Sequence, residues 1–410
     1  MQEKTTGAGG NLPLSGLRVL DLASFIAGPV ATTVMGDYGA EVIKIEPPGE
    51  GDPQRRLGQA HSIPQHPVNF CWNLVNRNKR SVVLDLKHEQ GRAAFDRLLK
   101  TADVMVVNFP LKVRQRLRMR YADVAPLNPR LVYASMTGYG EQGPDAEQPG
   151  FDSTAFFARS GLLDALTYEG GPPAFSIPGQ GDQVTGMNLF AAIVMALMHR
   201  ERTGRGSEVS SSLHASGLWS NAMLAQGALL GAYVVPRPPR TKPRSALANQ
   251  YRTADGRWIQ LTIVREEKLF PALCEAIERP DLLADPRFQT TEKRRAHAPE
   301  LAAILDPVFA AHPWLEWRRR LRHHEITFGL LGVLRDVPAD EQAVANEAVV
   351  PSAVDDMPQT ISAPIRLSFA ARPVTPGPAP GHGQHTDEVL GELGYSDGEI
   401  SAMRRAGALG

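Results

Sequence analysis

The chain has 410 residues, 42% of them apolar, and a formal net charge of zero from 44 basic and 44 acidic side chains. That length exceeds what one hydrophobic core usually organises, so two domains are expected, and the balanced charge excludes a global attraction to nucleic acid or to an anionic membrane. Any anionic ligand must be held by a local cluster, while two cysteines far apart, Cys71 and Cys274, indicate neither a disulfide framework nor a zinc site and fit a reducing cytoplasm.

The N-terminal MQEKTTGAGGNLPLSG lacks the apolar core of a signal peptide. From Leu17 the pattern is strand, helix, strand: LRVLDLA, AGPVATTVMGDYGA, EVIKIEPP. Two apolar strands joined by a crossover helix imply a parallel pair. RSVVLDLK, the helical EQGRAAFDRLLK, ADVMVVNF and RLVYASMTGYG continue the series, so the first 140 residues read as half of a doubly wound α/β sheet. Glu46 stands where an acid would hold a ribose, but the turn DLASFIAGPVA lacks G-x-G-x-x-G, which argues against a nicotinamide dinucleotide.

In PGQGDQVTGMNLFAAIVMALMHR, Pro178 to Arg200, Asp182 precedes an apolar run from Met187 to Met198. The run is shorter than a membrane span and reads as a buried helix of a soluble protein, with Asp182 as its N-cap. The helix-rich SLHASGLWSNAMLAQGALLGA leads into VVPRPPRTKPRSAL, an extended linker. YRTADGRWIQLTIV reads as a hairpin turning at Asp255-Gly256, and helical patterns run from Glu266 to Ile277 and from Glu300 to Leu321. The expected division is residues 1–235 for a large domain, 236–330 for a small one, and 331–410 for a return segment that completes the large domain, with short helices starting near Thr386 and Ser396.

No G-x-S-x-G elbow is present, and neither His382 with His385 nor His323 with His324 accompanies a carboxylate cluster, so serine-hydrolase and metal chemistry are disfavoured. WRRRLRHH is one helix face without interleaved aromatics, not a nucleic-acid patch. The carboxylate remains. An aspartate can act as a covalent nucleophile toward an activated acyl group. At a helix N-terminus beside Gly179 and Gly181, Asp182 is expected to stay ionised, with backbone N–H groups available to an oxyanion.

The segment G-D-x-x-x-G-M, Gly181 to Met187, resembles the catalytic segment of the family III CoA-transferases, which include formyl-CoA transferase, carnitine CoA-transferase and α-methylacyl-CoA racemase. LSGLRVLDLASFIAGPVATTVMGDYGAEVIKIEPPGEGDP resembles the family's opening signature. NRNKRSVVLDLK, ADVMVVNF, RTGRGSEV and HTDEVLGELGYSDGEI have counterparts in order.

The resemblance implies that Asp182 is the acyl-accepting aspartate and that Phe25, Ile26 and Ala27 line the thioester site. It further implies that Leu84, Lys87, Asn108, Phe109 and Arg116 hold the nucleotide and phosphates of CoA. Pro47 and Pro149 replace an arginine and a lysine of formyl-CoA transferase, and PRPPRTKPRSALANQ lacks the glycine-rich loop of oxalate-type members, which disfavours oxalate or formate. Phe151 stands where the racemase branch has a proton-transferring histidine, and a phenyl ring carries no proton. GYGEQGPDAEQPGFDSTAFFARSG is most similar to the cinnamoyl-CoA:phenyllactate and 2-hydroxyisocaproate CoA-transferase branch. Phe151, Phe156 and Phe157 are therefore candidates for an apolar acyl pocket, with Phe156 and Phe157 equally readable as core, and Asp152, Gly179 and Gly181 stand beside the site.

The implied activity moves CoA from an acyl-CoA to a free carboxylic acid, aromatic, branched or dicarboxylic, through aspartyl anhydride and aspartyl-CoA thioester intermediates. CoA thioester is then a substrate, with no permanently bound cofactor and no metal. The implied fold is a Rossmann-like parallel-sheet large domain with a smaller α+β domain in an interlocked, ring-shaped homodimer. Two alternatives stay open: an α-methylacyl-CoA racemase or isomerase, and a catalytically silent CoA-binding protein.

Overall fold

The computed structural model describes residues 12–58, 63–370 and 376–409. It divides into two compact units. One takes the chain up to Asp164, Phe175–Tyr233 and Glu341 onward; the other takes Ala165–Ala174 and Val234–Asp340.

The first unit is built on six strands: β1 (Arg18–Asp21), β2 (Glu41–Glu46), β3 (Lys79–Val83), β4 (Val104–Val107), β5 (Val132–Thr137) and β6 (Ser207–Ser212). All neighbours are parallel, in the order β3-β2-β1-β4-β5-β6, with Val19 of β1 opposite Val42 on one side and Val104 on the other. Strand side chains alternate between faces, so a sheet covered on both sides needs apolar residues at successive positions. Leu20, Ile43, Met105 and Tyr133 pack with Phe95 and Leu98 of the helix Glu89–Thr101 and with Val389, Leu390 and Ile400 of the C-terminal segment. Val19, Val42, Val104 and Val132 pack on the opposite face with Ala31 and Met35 of the helix Ala27–Asp37 and with Leu189 and Ile193 of the helix Gln180–Thr203.

Several elements differ from the sequence-based expectation. The helix carrying Asp182 runs from Gln180 to Thr203, and Gly179 in the left-handed region (φ 76°) takes its N-cap, so Asp182 lies in the first turn and is not the cap. By length and composition this helix could cross a membrane, whereas the expected run from Met187 was too short; in the fold it packs against Ala27–Asp37, β5 and β6. β6 was not expected, because SEVSSS carries a single apolar residue, Val209; it forms the edge of the sheet, where polar side chains face water. The pattern from Glu300 to Leu321 breaks into Ala298–Phe309 and Trp314–His323 ahead of Pro313.

The second unit holds a three-stranded antiparallel sheet of β7 (Gln250–Arg252), β8 (Trp258–Leu261) and β9 (Phe328–Leu330). Asp255 and Gly256, the latter at φ 77°, turn its first hairpin. Its core gathers Tyr251, Phe270, Phe309 and Trp317. The C-terminal helix Asp397–Arg405 of the first unit is closed by a capping box between Ser396 and Glu399.

Strand order reverses between β1 and β4, the place where open α/β sheets offer a crevice beyond the C-terminal ends of their strands. A buried ionic network fixes the loop after β1. Lys44 Nζ donates to the Ala23 carbonyl (2.8 Å) and pairs with Asp52 (2.8 Å), and Lys79 pairs with Asp21 (2.9 Å). Glu46 accepts from Arg55 (2.7 and 2.8 Å), from Ser81 Oγ (2.6 Å) and from the Asp52 N–H (3.0 Å). Three carboxylates and three cations thus balance. Burial works against the ionised form of Glu46, but the Arg55 guanidinium and Lys44 outweigh it and hold the carboxyl down to about 2.

Two stability predictions follow from this packing. Gly186 lies against Ala27–Asp37 so closely that a Cβ would sit 2.6 Å from Val30 Cβ and 2.7 Å from the Ala27 carbonyl oxygen. Gly186→Ala is expected to lower unfolding free energy by about 1–3 kcal/mol despite alanine's better helix propensity, because backbone cannot yield; urea denaturation with an unchanged midpoint would contradict this. The depressed carboxyl of Glu46 contributes stability that is fully present above its unfolded value of 4.5 and is lost as pH falls toward about 2. Glu46→Gln should therefore flatten the loss of stability across that window, read by thermal melts at stepped pH.

Candidate active site

The crevice is built from the two loops at the reversal of strand order. Asn108, directly after β4, joins them: the Ser24 N–H donates to its Oδ1 (2.9 Å) and its Nδ2 donates back to the Ser24 carbonyl (2.8 Å). The next residue, Phe25, is held at φ 64°, a region costly for a residue with a Cβ, and its N–H donates to Asp52 Oδ1 (3.0 Å). Strain of this kind persists only where the surroundings over-determine it, and the Lys44–Asp52 pair does so here. The Phe25 ring consequently projects outward, 37% exposed, and meets Phe151 edge to face at 5.6 Å. Phe151 is 56% exposed.

Ile26 and Ala27 carry the loop into the helix Ala27–Asp37, and Ile26 lies against the N-terminus of the helix Gln180–Thr203. A Cβ at Gly179 would lie 3.4 Å from Ile26 Cδ1, whereas Ala27 is buried in the core. A Cβ at Gly181 would lie 2.6 Å from the Phe156 ring, so this glycine allows the helix to seat on the π-helical turn Asp152–Ala158. Phe156 and Phe157 are 3% and 4% exposed within the core. The structure thus brings together Phe25, Ile26, Phe151, Asp152, Gly179, Gly181 and Asp182.

Asp182 does not simply stay ionised. Desolvation, and then the negative field of Asp152, raise its carboxyl to about 7. Asp152 is also raised by burial, but the backbone N–H groups of Ser153, Gly179 and Gly181 favour its charged form, so it ionises before its neighbour. Its Oδ2 is buried without a hydrogen-bond partner among the described residues. Two carboxylates at one helix N-terminus, with different access to amide donors, divide into a charged member and one poised near neutrality.

The remaining residues are spread along the C-terminal edge of the sheet. Lys87 follows β3 and Arg116 ends the short helix Leu111–Arg116; both are exposed and neither pairs with a carboxylate among the described residues. Phe109 is half-buried against the core below. The Leu84 side chain is 1% exposed in that core, because it continues the inward face of β3, so what it can offer a ligand is its backbone. Neighbouring Arg114 is buried and committed to Glu141 (2.7 Å) and the Phe109 carbonyl (2.9 Å). Pro47 offers its carbonyl to His382 Nε2 (3.1 Å).

Sequence reasoning missed Lys44, Asp52 and Arg55. Their signal was a charged residue inside EVIKIE, a strand covered on both faces, which requires a buried partner. No group of three or more His, Cys, Asp or Glu side chains suited to a metal occurs among the described residues.

Comparison with known proteins bears on this crevice. The model of CoA-transferase family III matches residues 14–386. The chain is 33% identical over 393 residues to an (R)-2-hydroxy-4-methylpentanoate CoA-transferase of Clostridioides difficile, covering 95% of this chain and 98% of that protein. It is 32% identical over 396 residues to a cinnamoyl-CoA:phenyllactate CoA-transferase of Clostridium sporogenes, covering 95% and 96%. A CAIB/BAIF family protein from Brucella suis has a solved structure that superimposes with a TM-score of 0.83 at 28% identity, covering 93% of this chain and 100% of that one. With the family model spanning residues 14–386, the loop after β1 and the helix of Asp182 among them, the chain belongs to CoA-transferase family III and is a CoA-transferase enzyme.

Proposed function

We propose that the chain transfers CoA from an acyl-CoA to a free carboxylic acid with Asp182 as the covalent nucleophile. The observation that carries this reading is the placement of a poised, partly buried carboxylate in the first turn of a helix, beside the strained Phe25 loop at the reversal of strand order. An Asp182 oxygen attacks the thioester carbonyl, the C–S bond breaks, and the electron pair leaves with the CoA thiolate. The thiolate then attacks the aspartyl carbonyl of the anhydride and expels the donor acid. The acceptor carboxylate attacks the resulting aspartyl thioester, and returning thiolate cleaves the second anhydride at the acceptor's carbonyl.

Each acylated form of Asp182 is neutral, so its formation relieves the repulsion from Asp152. Lys87 and Arg116, without carboxylate partners among the described residues, suit the phosphates of CoA, with Asn108 and Phe109 on the adjoining loop and Leu84 contributing backbone. Phe25 and Phe151 present an apolar wall suited to aromatic or branched acyl groups. Proton abstraction of the racemase kind is disfavoured, since no histidine stands at Phe151.

We further propose a homodimer. The helix Ala222–Leu229 has no buried residue, and Trp219, Met223, Leu229, Leu230 and Tyr233 leave a contiguous stretch of chain with large apolar side chains exposed. The unpaired cysteines Cys71 and Cys274 suit a reducing cytoplasm.

Asp182→Ala should lower kcat on the order of 10³-fold or more while acyl-CoA still binds, and undiminished turnover would overturn the assignment. Because attack requires the ionised carboxylate, the single-turnover acylation rate should rise with pH through about 7. Asp152→Asn, lacking the like charge, should shift that rise to lower pH; an unmoved profile would remove Asp152 from the site's electrostatics. Solvent deuterium appearing at the substrate α-carbon without an acceptor acid would favour the racemase instead. Sedimentation should give about twice the chain mass of 44.6 kDa, and Met223→Glu with Leu229→Glu should reduce it toward one chain.

A further inference from the structure

The second unit contains a cavity of about 270 Å³ that the transfer chemistry does not use. It is lined by three guanidinium groups, Arg237, Arg240 and Arg244, and by the amides Asn249, Gln250 and Gln260, and no carboxylate among the described residues lines it. Prolines at 238, 239 and 243 limit the backbone freedom of this stretch, and Pro243 is buried.

Each guanidinium is oriented by a partner. Arg240 makes a two-pronged pair with Asp306 (2.8 and 3.0 Å) and donates to the Gln250 carbonyl (3.1 Å). Arg237 stacks on the Tyr168 ring at 4.9 Å and donates to the Leu166 carbonyl (3.4 Å). Arg244 donates to the Pro236 carbonyl. Asn249, 7% exposed, anchors the wall by donating to the Arg240 carbonyl (3.2 Å). These partners fix the direction of Arg237 and Arg244 without cancelling their charge, since neither pairs with a carboxylate among the described residues. With Asp306 counted against Arg240, the cavity wall carries two uncompensated positive charges held near one another.

In a chain whose total charge is zero, that local excess is a binding feature. The geometry points to a site in the second unit for a small dianion, bearing either a phosphate or a pair of carboxylates, gripped by Arg237 and Arg244. Guanidinium forks match both groups, and paired anionic oxygens would relieve the repulsion between the two arginines. The volume suits a phosphate or a short dicarboxylic acid and is too small for CoA itself.

Calorimetric titration of the full-length protein at low ionic strength tests this, with inorganic phosphate in one arm and succinate in the other, and chloride and acetate as controls. One dianion, at least, is expected to bind about tenfold or more tightly than either monoanion, and the stronger arm identifies the group recognised. Arg237→Gln with Arg244→Gln should weaken that binding by about tenfold or more, with the far-UV circular dichroism and thermal melt unchanged because both side chains are exposed. Dianion binding no stronger than acetate or chloride, or a double variant that binds like the parent, would overturn the site. Asp182→Ala should leave dianion binding intact, so failure of the nucleophile assignment and failure of this site are read separately.

Discussion

The contact between Lys44 and the loop after β1 is the constraint on which the crevice depends. A lysine in a central strand, buried on both faces, can remain charged only with partners, and Asp52 and the Ala23 carbonyl supply them. Asp52 in turn accepts the N–H of Phe25 and so fixes a residue in a backbone region it would not choose. The strain is local, while the ion pairs that hold it are spread over β1, β2 and β3. The loop's shape is therefore coupled to the stability of the whole sheet.

The second element of the site is a helix start packed by subtraction. Gly181 and Gly186 lack side chains where Phe156, Val30 and the Ala27 carbonyl approach, and Gly179 takes the left-handed cap. This close seating withdraws Asp182 from water and sets it beside Asp152. Desolvation makes a carboxylate a stronger nucleophile and a weaker acid together, and the neutral acylated state relieves the cost of both burial and repulsion. Under the mechanism proposed above, the same arrangement that makes Asp182 expensive to ionise favours its neutral acylated forms.

Much of the sheet could be read from sequence because strands covered on both faces must be apolar at successive positions, as in ADVMVVNF and EVIKIEPP. β6 could not, since an edge strand tolerates SEVSSS. The position of Asp182 was legible through its glycines and through family resemblance, yet its place in the turn was not, because the cap depends on the dihedral angle of Gly179. Its raised carboxyl was hidden for a related reason: Asp152 lies 30 residues earlier and meets it only in the fold. Leu84 illustrates the converse, where a motif position was found and the direction of its side chain was not.

The most direct test of the account is mass spectrometry of the peptide containing Asp182 after incubation with acyl-CoA and quenching by hydroxylamine or borohydride. A hydroxamate or a reduced side chain at residue 182, absent without acyl-CoA, is the predicted result. A fully active enzyme whose Asp182 is never modified, or a covalent adduct mapped to another residue, would contradict it.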